Sequence, residues 1–160
     1  MELQILFGLL LSILPVFELR GGLPIIVEYT VRNGLSVWPW FVLVLILNIL
    51  VIFFIFFFLD FLHEWFMNFR WYRKFIGKIL GRVQKKAEKI EKKLDEWGYI
   101  ALALFVAIPL PGTGAWTGSL VAWGLGLERW KSFLAIAAGV VIAGFVILLA
   151  SLGLFNGLVY

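Results

Sequence analysis

The sequence predicts an all-α integral membrane protein. Two inverted repeats, each a re-entrant helical hairpin plus one transmembrane helix, are linked by a cytoplasmic amphipathic helix. Hydrophobic residues make up 62% of the 160 residues, and the mean hydropathy is +0.99. A soluble domain has about 45–50% apolar residues, so a chain of this size cannot hide this much apolar surface in its own core. The chain has no cysteine, which excludes disulfides, and its net charge is +4.

Long runs without charge set the organisation of the chain. A transmembrane helix needs about 20 apolar residues. The second and fourth runs meet this length and predict transmembrane helices over residues 35–60 and 132–156. The first run is too short to span. In chain order the four runs are Leu3–Phe17, Asn33–Leu59, Trp97–Leu127 and Ser132–Tyr160.

The first repeat, residues 1–61, begins with an interrupted apolar stretch. Residues Pro15–Pro24 read P-V-F-E-L-R-G-G-L-P. Prolines and paired glycines break helices, so this stretch predicts an unwound, charged turn between two half-length helices. Residues 3–31 are therefore expected to form a re-entrant hairpin. A short surface loop between two ordinary helices is the alternative.

The second repeat, residues 97–160, has the same design. Residues Pro109–Gly118 read P-L-P-G-T-G-A-W-T-G and interrupt the third apolar run. This pattern predicts a re-entrant hairpin over residues 99–127, with a single kinked transmembrane helix as the alternative. The interruption and the following long run recur at nearly the same spacing in both halves.

Between the repeats lies a basic segment, predicted over residues 62–96 as an amphipathic helix. Ten Lys/Arg and four acids fall within residues 70–96. Cytoplasmic loops are enriched in Lys and Arg, which places this helix inside and the protein in the cell membrane as a multi-pass protein. A hairpin does not change sides and a spanning helix does. The two hairpins are therefore expected to enter from opposite leaflets, with their turns meeting near the midplane.

The residues P-V-F-E-L-R-G-G-L-P and A-I-P-L-P-G-T-G-A-W-T-G-S-L resemble the family labelled putative small multidrug export proteins. That family is similar to a distant branch of the DedA/VTT superfamily, which includes polyprenyl-phosphate flippases and lipid scramblases. The resemblance covers most of the chain and implies opposed re-entrant hairpins. The second hairpin of better-studied DedA relatives typically bears arginines, whereas residues 109–118 have none. Arg20 would then supply the charge for an anionic headgroup almost alone.

Charged groups inside a bilayer are costly and usually functional. Glu18 is a candidate proton carrier, because a low-dielectric site favours a neutral carboxyl. A static Glu18–Arg20 pair that only stabilises the turn is the alternative. Arg20 has a planar donor array that suits phosphate or carboxylate. The candidate substrate- or proton-binding residues of the first hairpin are Glu18, Arg20, Gly21, Gly22, Pro24 and Glu28.

In the second hairpin, glycines would allow close backbone approach and hydroxyls would offer polar contacts. The N-terminus of the following half-helix offers free N–H groups to an anion. Tight helix packing, helix caps and a filler tryptophan are the structural alternatives. The candidate residues here are Pro109, Pro111, Gly112, Thr113, Gly114, Trp116, Thr117 and Gly118.

These observations predict a transporter of DedA-like type, with no enzymatic activity, no metal site and no cofactor. We expect it to translocate an amphipathic or lipid substrate, such as a polyprenyl-phosphate or phospholipid, and a proton-coupled cycle would use Glu18. Export of small cationic drugs and a non-transporting membrane scaffold are the alternatives. The expected partners are membrane lipids and a second copy of the chain, with no nucleic acid.

Overall fold

The computed structural model describes residues 3–66, 68, 97–110 and 112–159. This part of the chain contains six helices and no strand. The apolar runs of the sequence form these helices, and the prolines and glycines fall mainly between them. In chain order the helices are α1 (Leu3–Ile13), α2 (Glu18–Arg32), α3 (Trp38–Phe66), α4 (Trp97–Ala107), α5 (Ala115–Gly124) and α6 (Arg129–Val159).

Helices α3 and α6 are long and apolar enough to cross a membrane, over Trp38–Leu62 and Arg129–Phe155. At 1.5 Å per residue, these 25 and 27 residues reach about 37 and 40 Å, more than the roughly 30 Å hydrocarbon core. The other four helices have 10–15 residues, or roughly 15–22 Å, and are too short to do so. Helix length therefore separates the elements into two classes.

Helices α3 and α6 pack antiparallel along most of their length. The rings of Phe41 and Phe145 lie 5.1 Å apart near one end, and those of Phe53 and Phe133 lie 4.2 Å apart towards the other. Gly144 permits the close approach, because a Cβ there would lie 2.7 Å from the Leu45 side chain. The outward face of α3 is apolar at helical spacing, as expected of a helix that contacts lipid: Val42, Ile46, Leu50, Phe54, Phe57 and Phe61 are all exposed.

Helices α1 and α2 form a tight antiparallel pair, joined by residues 14–17. A Cβ on Gly22 would lie 2.2 Å from the Gly8 carbonyl oxygen and 2.7 Å from the Ser12 Cβ. A Cβ on Gly8 would in turn meet Ile26 at 2.6 Å. The two backbones are therefore in contact, and only glycine fits at these positions.

Helices α4 and α5 form a second antiparallel pair, joined by residues 108–114. A Cβ on Gly118 would lie 2.7 Å from the Val106 side chain. At the open end of the pair, the Glu128 N–H donates to the Tyr99 hydroxyl oxygen at 3.1 Å. Both helices also pack on α6, through Val106 against Gly139 and through Gly118 against Ile136.

The open ends of the two helix pairs lie at opposite ends of the α3–α6 pair. Residues 33–37 lead directly from α2 into the start of α3, with Leu35 N–H donating to the Thr30 carbonyl at 2.8 Å. At the other end of α3, Asp60 contacts Trp123 of α5 and Arg129 of α6. The connections 14–17 and 108–114 consequently face each other alongside the two long helices.

The structure corrects the prediction that residues Pro15–Pro24 are unwound. The break is confined to residues 14–17, and α2 begins at Glu18 and continues through Gly21, Gly22 and Pro24. Even within the break, Glu18 N–H donates to the Leu14 carbonyl at 2.9 Å. Pro24 lacks an N–H, so it removes one hydrogen bond from α2 without ending it.

The second interruption is also shorter than predicted, because α5 begins at Ala115 and includes Gly118. Helix α3 extends to Phe66, so the first five residues of the predicted 62–96 amphipathic helix belong to α3. Residues 69–96, which hold the rest of that predicted helix, lie outside the described residues.

Candidate functional site

Glu18 is the first residue of α2 and lies where the two helix pairs meet. Its carboxylate accepts a hydrogen bond from Arg20 Nη1 at 2.7 Å and one from the backbone N–H of Trp116 at 3.0 Å. The residue is only 5% exposed. Its φ of +46° lies in the left-handed region, which non-glycine residues rarely adopt. The carboxylate is thus held from both halves of the chain.

Arg20 binds carbonyl oxygens of the second helix pair, at the end of α4 and in the connection that follows it. Its Nη2 donates to the carbonyl oxygens of Val106 (3.0 Å), Ile108 (3.2 Å) and Thr113 (2.9 Å), and lies 3.2 Å from Thr113 Oγ1. The last carbonyls of a helix have no partner within it and form the negative end of its dipole. A guanidinium at the end of α4 therefore satisfies both the hydrogen bonds and the charge.

The N-terminus of α5 is capped by Glu18 rather than by a residue of its own. The N-cap residue, Gly114, has no side chain to cap the helix, and the Trp116 N–H is one of the free donors of the first turn. A Cβ on Gly114 would lie 1.4 Å from Glu18 Oε2, which overlaps the carboxylate. Glycine at 114 is therefore required for the carboxylate to reach the helix end.

The remaining polar groups hold the two connections in place. Trp116 Nε1 donates to the carbonyl oxygen of Ile13, at the end of α1, at 3.1 Å. The Thr113 hydroxyl lies 2.6 Å from the Ile108 carbonyl oxygen and 2.9 Å from that of Leu110. We call the cluster of Glu18, Arg20, Thr113, Gly114 and Trp116 the tip junction.

The tip junction contains a carboxylate and a guanidinium whose charges are equal and opposite. The side chains of Glu18 and Arg20 are 7% and 12% exposed. Among the described residues, the buried Arg20 Nε finds no hydrogen-bond partner. The junction thus has more donors than its own acceptors satisfy.

The structure brings together five of the predicted site residues, those of the tip junction, and assigns others to packing. Gly22 fits α2 against α1, and Gly118 fits α5 against α4 and α6. A Cβ on Gly21 would meet the Phe17 side chain at 3.0 Å. The Thr117 hydroxyl donates to the Gly114 carbonyl at 3.3 Å, within the first turn of α5.

Other predicted site residues lie away from the junction or make no polar contact with it. Glu28 pairs with Arg32 at 2.9 Å near the other end of α2, where both side chains are more than a third exposed. Pro24 lies inside α2, Pro109 is exposed, and Gly112 is an exposed turn residue with a φ of +82°. Pro111 lies outside the described residues.

The sequence analysis missed a second polar cluster, centred on Asp60 of α3. Its carboxylate accepts from the Arg129 guanidinium and, at 3.2 Å, from Trp123 Nε1. The Arg129 guanidinium also lies over the Phe56 ring, 5.6 Å from its centroid. The sequence signal that could have revealed this cluster is Asp60 itself, the charged residue that ends the second apolar run.

The described residues contain no group of three or more His, Cys, Asp or Glu side chains that could hold a metal ion. The acceptors at the tip junction are one carboxylate, the Thr113 hydroxyl and backbone carbonyls. The chemistry available there is the binding and release of charged or hydrogen-bonding groups.

The all-helical fold, the two membrane-capable helices and the outward apolar surface define the class of an integral membrane protein. Residues 18–146 match the protein family described as "Putative small multi-drug export protein". The match covers well over half of the chain, which therefore belongs to this family. It begins at Glu18 and includes the whole tip junction. Neither the search of curated proteins nor the search of solved structures finds a match.

Proposed function

We propose that this protein is a transporter that moves an amphipathic compound across the cell membrane through the tip junction. The observation on which the proposal depends is the buried Glu18–Arg20 pair, which joins the breaks of two opposed helix pairs. Ionisable residues at membrane depth are expensive and usually mark a substrate or ion pathway. The membership of an export family supports the same class of function.

In this proposal the two helix pairs are re-entrant hairpins and the chain is an inverted repeat. Each half has a pair of short helices followed by one long helix, and the two pairs are oriented in opposite directions. Inverted repeats with broken helices are common in secondary transporters, which bind substrate near the midplane at the repeat interface. Transport would then proceed by one hairpin moving against the other around the junction.

A lipid is the first candidate substrate. The resemblance to the DedA/VTT superfamily supports a polyprenyl-phosphate or phospholipid, and Arg20 is the cation of the junction that could bind its phosphate. Glu18 would carry a proton if transport is proton-coupled. The exposed apolar turn Leu14–Phe17 would leave the junction open to lipid chains from the side.

Export of small cationic compounds is the second candidate, and the family description supports it. In that case Glu18 would be the counter-charge of the drug. We expect no enzymatic activity and no cofactor in either case. We also propose a homodimer, because two spanning helices enclose little volume. The protein would lie in the cell membrane with residues 70–96 on the cytoplasmic side.

Purified protein in vesicles tests the proposal. We expect movement of a fluorescent phospholipid or polyprenyl-phosphate between leaflets, lost in Glu18→Gln and in Arg20→Gln. The matched controls are Glu128→Gln and Lys131→Gln, which alter an exposed ion pair outside the junction and should transport normally. Proton flux driven by a cationic drug, without lipid movement, would favour the exporter. An absence of both activities would contradict transport and favour a scaffold.

A further inference from the structure

We infer that the Glu18 carboxylate occupies the position in which the substrate binds, and that the substrate bears an oxyanion headgroup that displaces this carboxylate. This inference rests on the proposed transport function and specifies the substrate class of the same site. The carboxylate lies between the Arg20 guanidinium and the N-terminus of α5, at 2.7 and 3.0 Å. Both are groups that bind carboxylate or phosphate in proteins.

The backbone of Glu18 indicates that the carboxylate is held in place at a cost. A non-glycine residue in the left-handed region persists when surrounding contacts compensate for its strain, and such residues cluster at ligand sites. Glu18 has a φ of +46°, and its contacts with Arg20 and Trp116 are the compensation visible here. Release of the carboxylate would remove those contacts and allow the backbone to relax.

The room and the donors at this position both fit an oxyanion. Gly114 leaves space that the carboxylate fills, since a Cβ would overlap Glu18 Oε2. A phosphate oxygen in that space could accept from Arg20 Nη1 and from the Trp116 N–H, as the carboxylate does now.

The same geometry argues against a cation as the ligand of Glu18. A cation approaching the carboxylate meets the Arg20 guanidinium already bound to it at 2.7 Å. Pairing Glu18 with a drug cation would leave Arg20 buried without its carboxylate, and an uncompensated buried charge is strongly destabilising. An anion that replaces Glu18 keeps Arg20 neutralised and transfers the cost of the separated charge to the displaced Glu18 carboxylate, which lies next to the exposed residues 14–17.

Binding of simple amphiphiles to the purified protein in a nonionic detergent tests the inference separately from transport. The probes are dodecyl phosphate, dodecyltrimethylammonium and inorganic phosphate, measured by isothermal titration calorimetry. Glu18→Gln removes the carboxylate that competes with the probe, so dodecyl phosphate should bind about tenfold or more tightly. Glu18→Gly should do the same, since glycine adopts the φ of +46° without strain.

Arg20→Gln should abolish binding of dodecyl phosphate, and Glu128→Gln should bind it as the unmodified protein does. Tight binding of dodecyl phosphate but not of inorganic phosphate identifies a lipid-like headgroup, whereas equal binding identifies a free anion. Unchanged or weaker dodecyl phosphate binding in both Glu18 variants would overturn the inference, as would binding of dodecyltrimethylammonium that depends on Glu18. Lipid transport without competition between Glu18 and dodecyl phosphate would overturn the inference and leave the proposed function intact. Competition without lipid transport would overturn the proposed function and leave the competition at Glu18 intact.

Discussion

Single side chains decide how the tip junction is built. The sequence analysis predicts that the two interruptions meet, because prolines and glycines mark both breaks; in the structure Glu18 and Arg20 contact residues 106–116. It could not predict that Arg20 binds backbone carbonyls. Those partners depend on where α4 ends, at Ala107, and on how residues 108–114 fold back. Backbone acceptors have no signature in a sequence, since every residue type supplies one.

Gly114→Ala tests the contact between Glu18 and the N-terminus of α5. The new methyl group would occupy the position of Glu18 Oε2, so the carboxylate must leave the Trp116 N–H. We expect a loss of about 1.5–3 kcal/mol of stability, the usual contribution of a hydrogen bond to a charged group, measured as thermal unfolding in detergent.

Gly124→Ala is the matched control for this prediction. It lies on the same helix, its Cβ would meet no atom within 4 Å, and it should be neutral or slightly stabilising. Equal effects of the two substitutions would show that the change at 114 acts through helix propensity rather than through Glu18.

At the scale of helices, the sequence predicted the two long helices and the two pairs of short ones, but it placed Gly21, Gly22 and Pro24 in a turn. They lie inside α2. A glycine that breaks an isolated helix is tolerated when its missing side chain allows another backbone to approach, and Gly22 contacts Gly8 in this way. Sequence alone did not separate these two uses of glycine. The charge-free length of each run was the more reliable guide.

Gly22→Ala should disrupt the α1–α2 pair. Its Cβ would lie 2.2 Å from the Gly8 carbonyl oxygen, and backbone cannot move aside as a flexible side chain can. We expect a destabilisation of about 1–3 kcal/mol, typical of overpacking, read as a lower midpoint of thermal unfolding. Gly153→Ala on α6, where a Cβ meets no atom within 4 Å, is the control. A normal midpoint for Gly22→Ala would show that α1 and α2 do not pack this closely.

For the whole molecule, the proposed arrangement in the bilayer rests on the opposed orientation of the two short-helix pairs. The open end of α1–α2 lies at the start of α3, and that of α4–α5 at the start of α6. The sequence analysis predicts hairpins that enter from opposite leaflets, because a hairpin does not change sides and a transmembrane helix does, and this placement in the bilayer stays a prediction. The Asp60 cluster, which fixes α5 and α6 to the end of α3, was unpredictable because its partners are more than sixty residues away.

Cysteine labelling in intact vesicles tests this arrangement, and the chain has no native cysteine to interfere. Leu35→Cys and Leu125→Cys, both about half exposed, should react from opposite sides of the membrane. Val16→Cys is 71% exposed in the structure but should resist a water-soluble reagent from either side until detergent is added. Labelling of Leu35→Cys and Leu125→Cys from the same side would mean that residues 97–127 cross the bilayer.

Glu18 and Arg20 lie two residues apart on the same helix, and this has an electrical consequence. If the two helix pairs separate without substrate in the proposed transport cycle, the hydrogen bonds to the second pair break, but the two opposite charges leave together as a dipole. No net charge then moves through the transmembrane field, whose work on one elementary charge is about 2.3 kcal/mol per 100 mV. Membrane voltage should therefore have little influence on the unloaded protein and should act through whatever ion or headgroup travels with it.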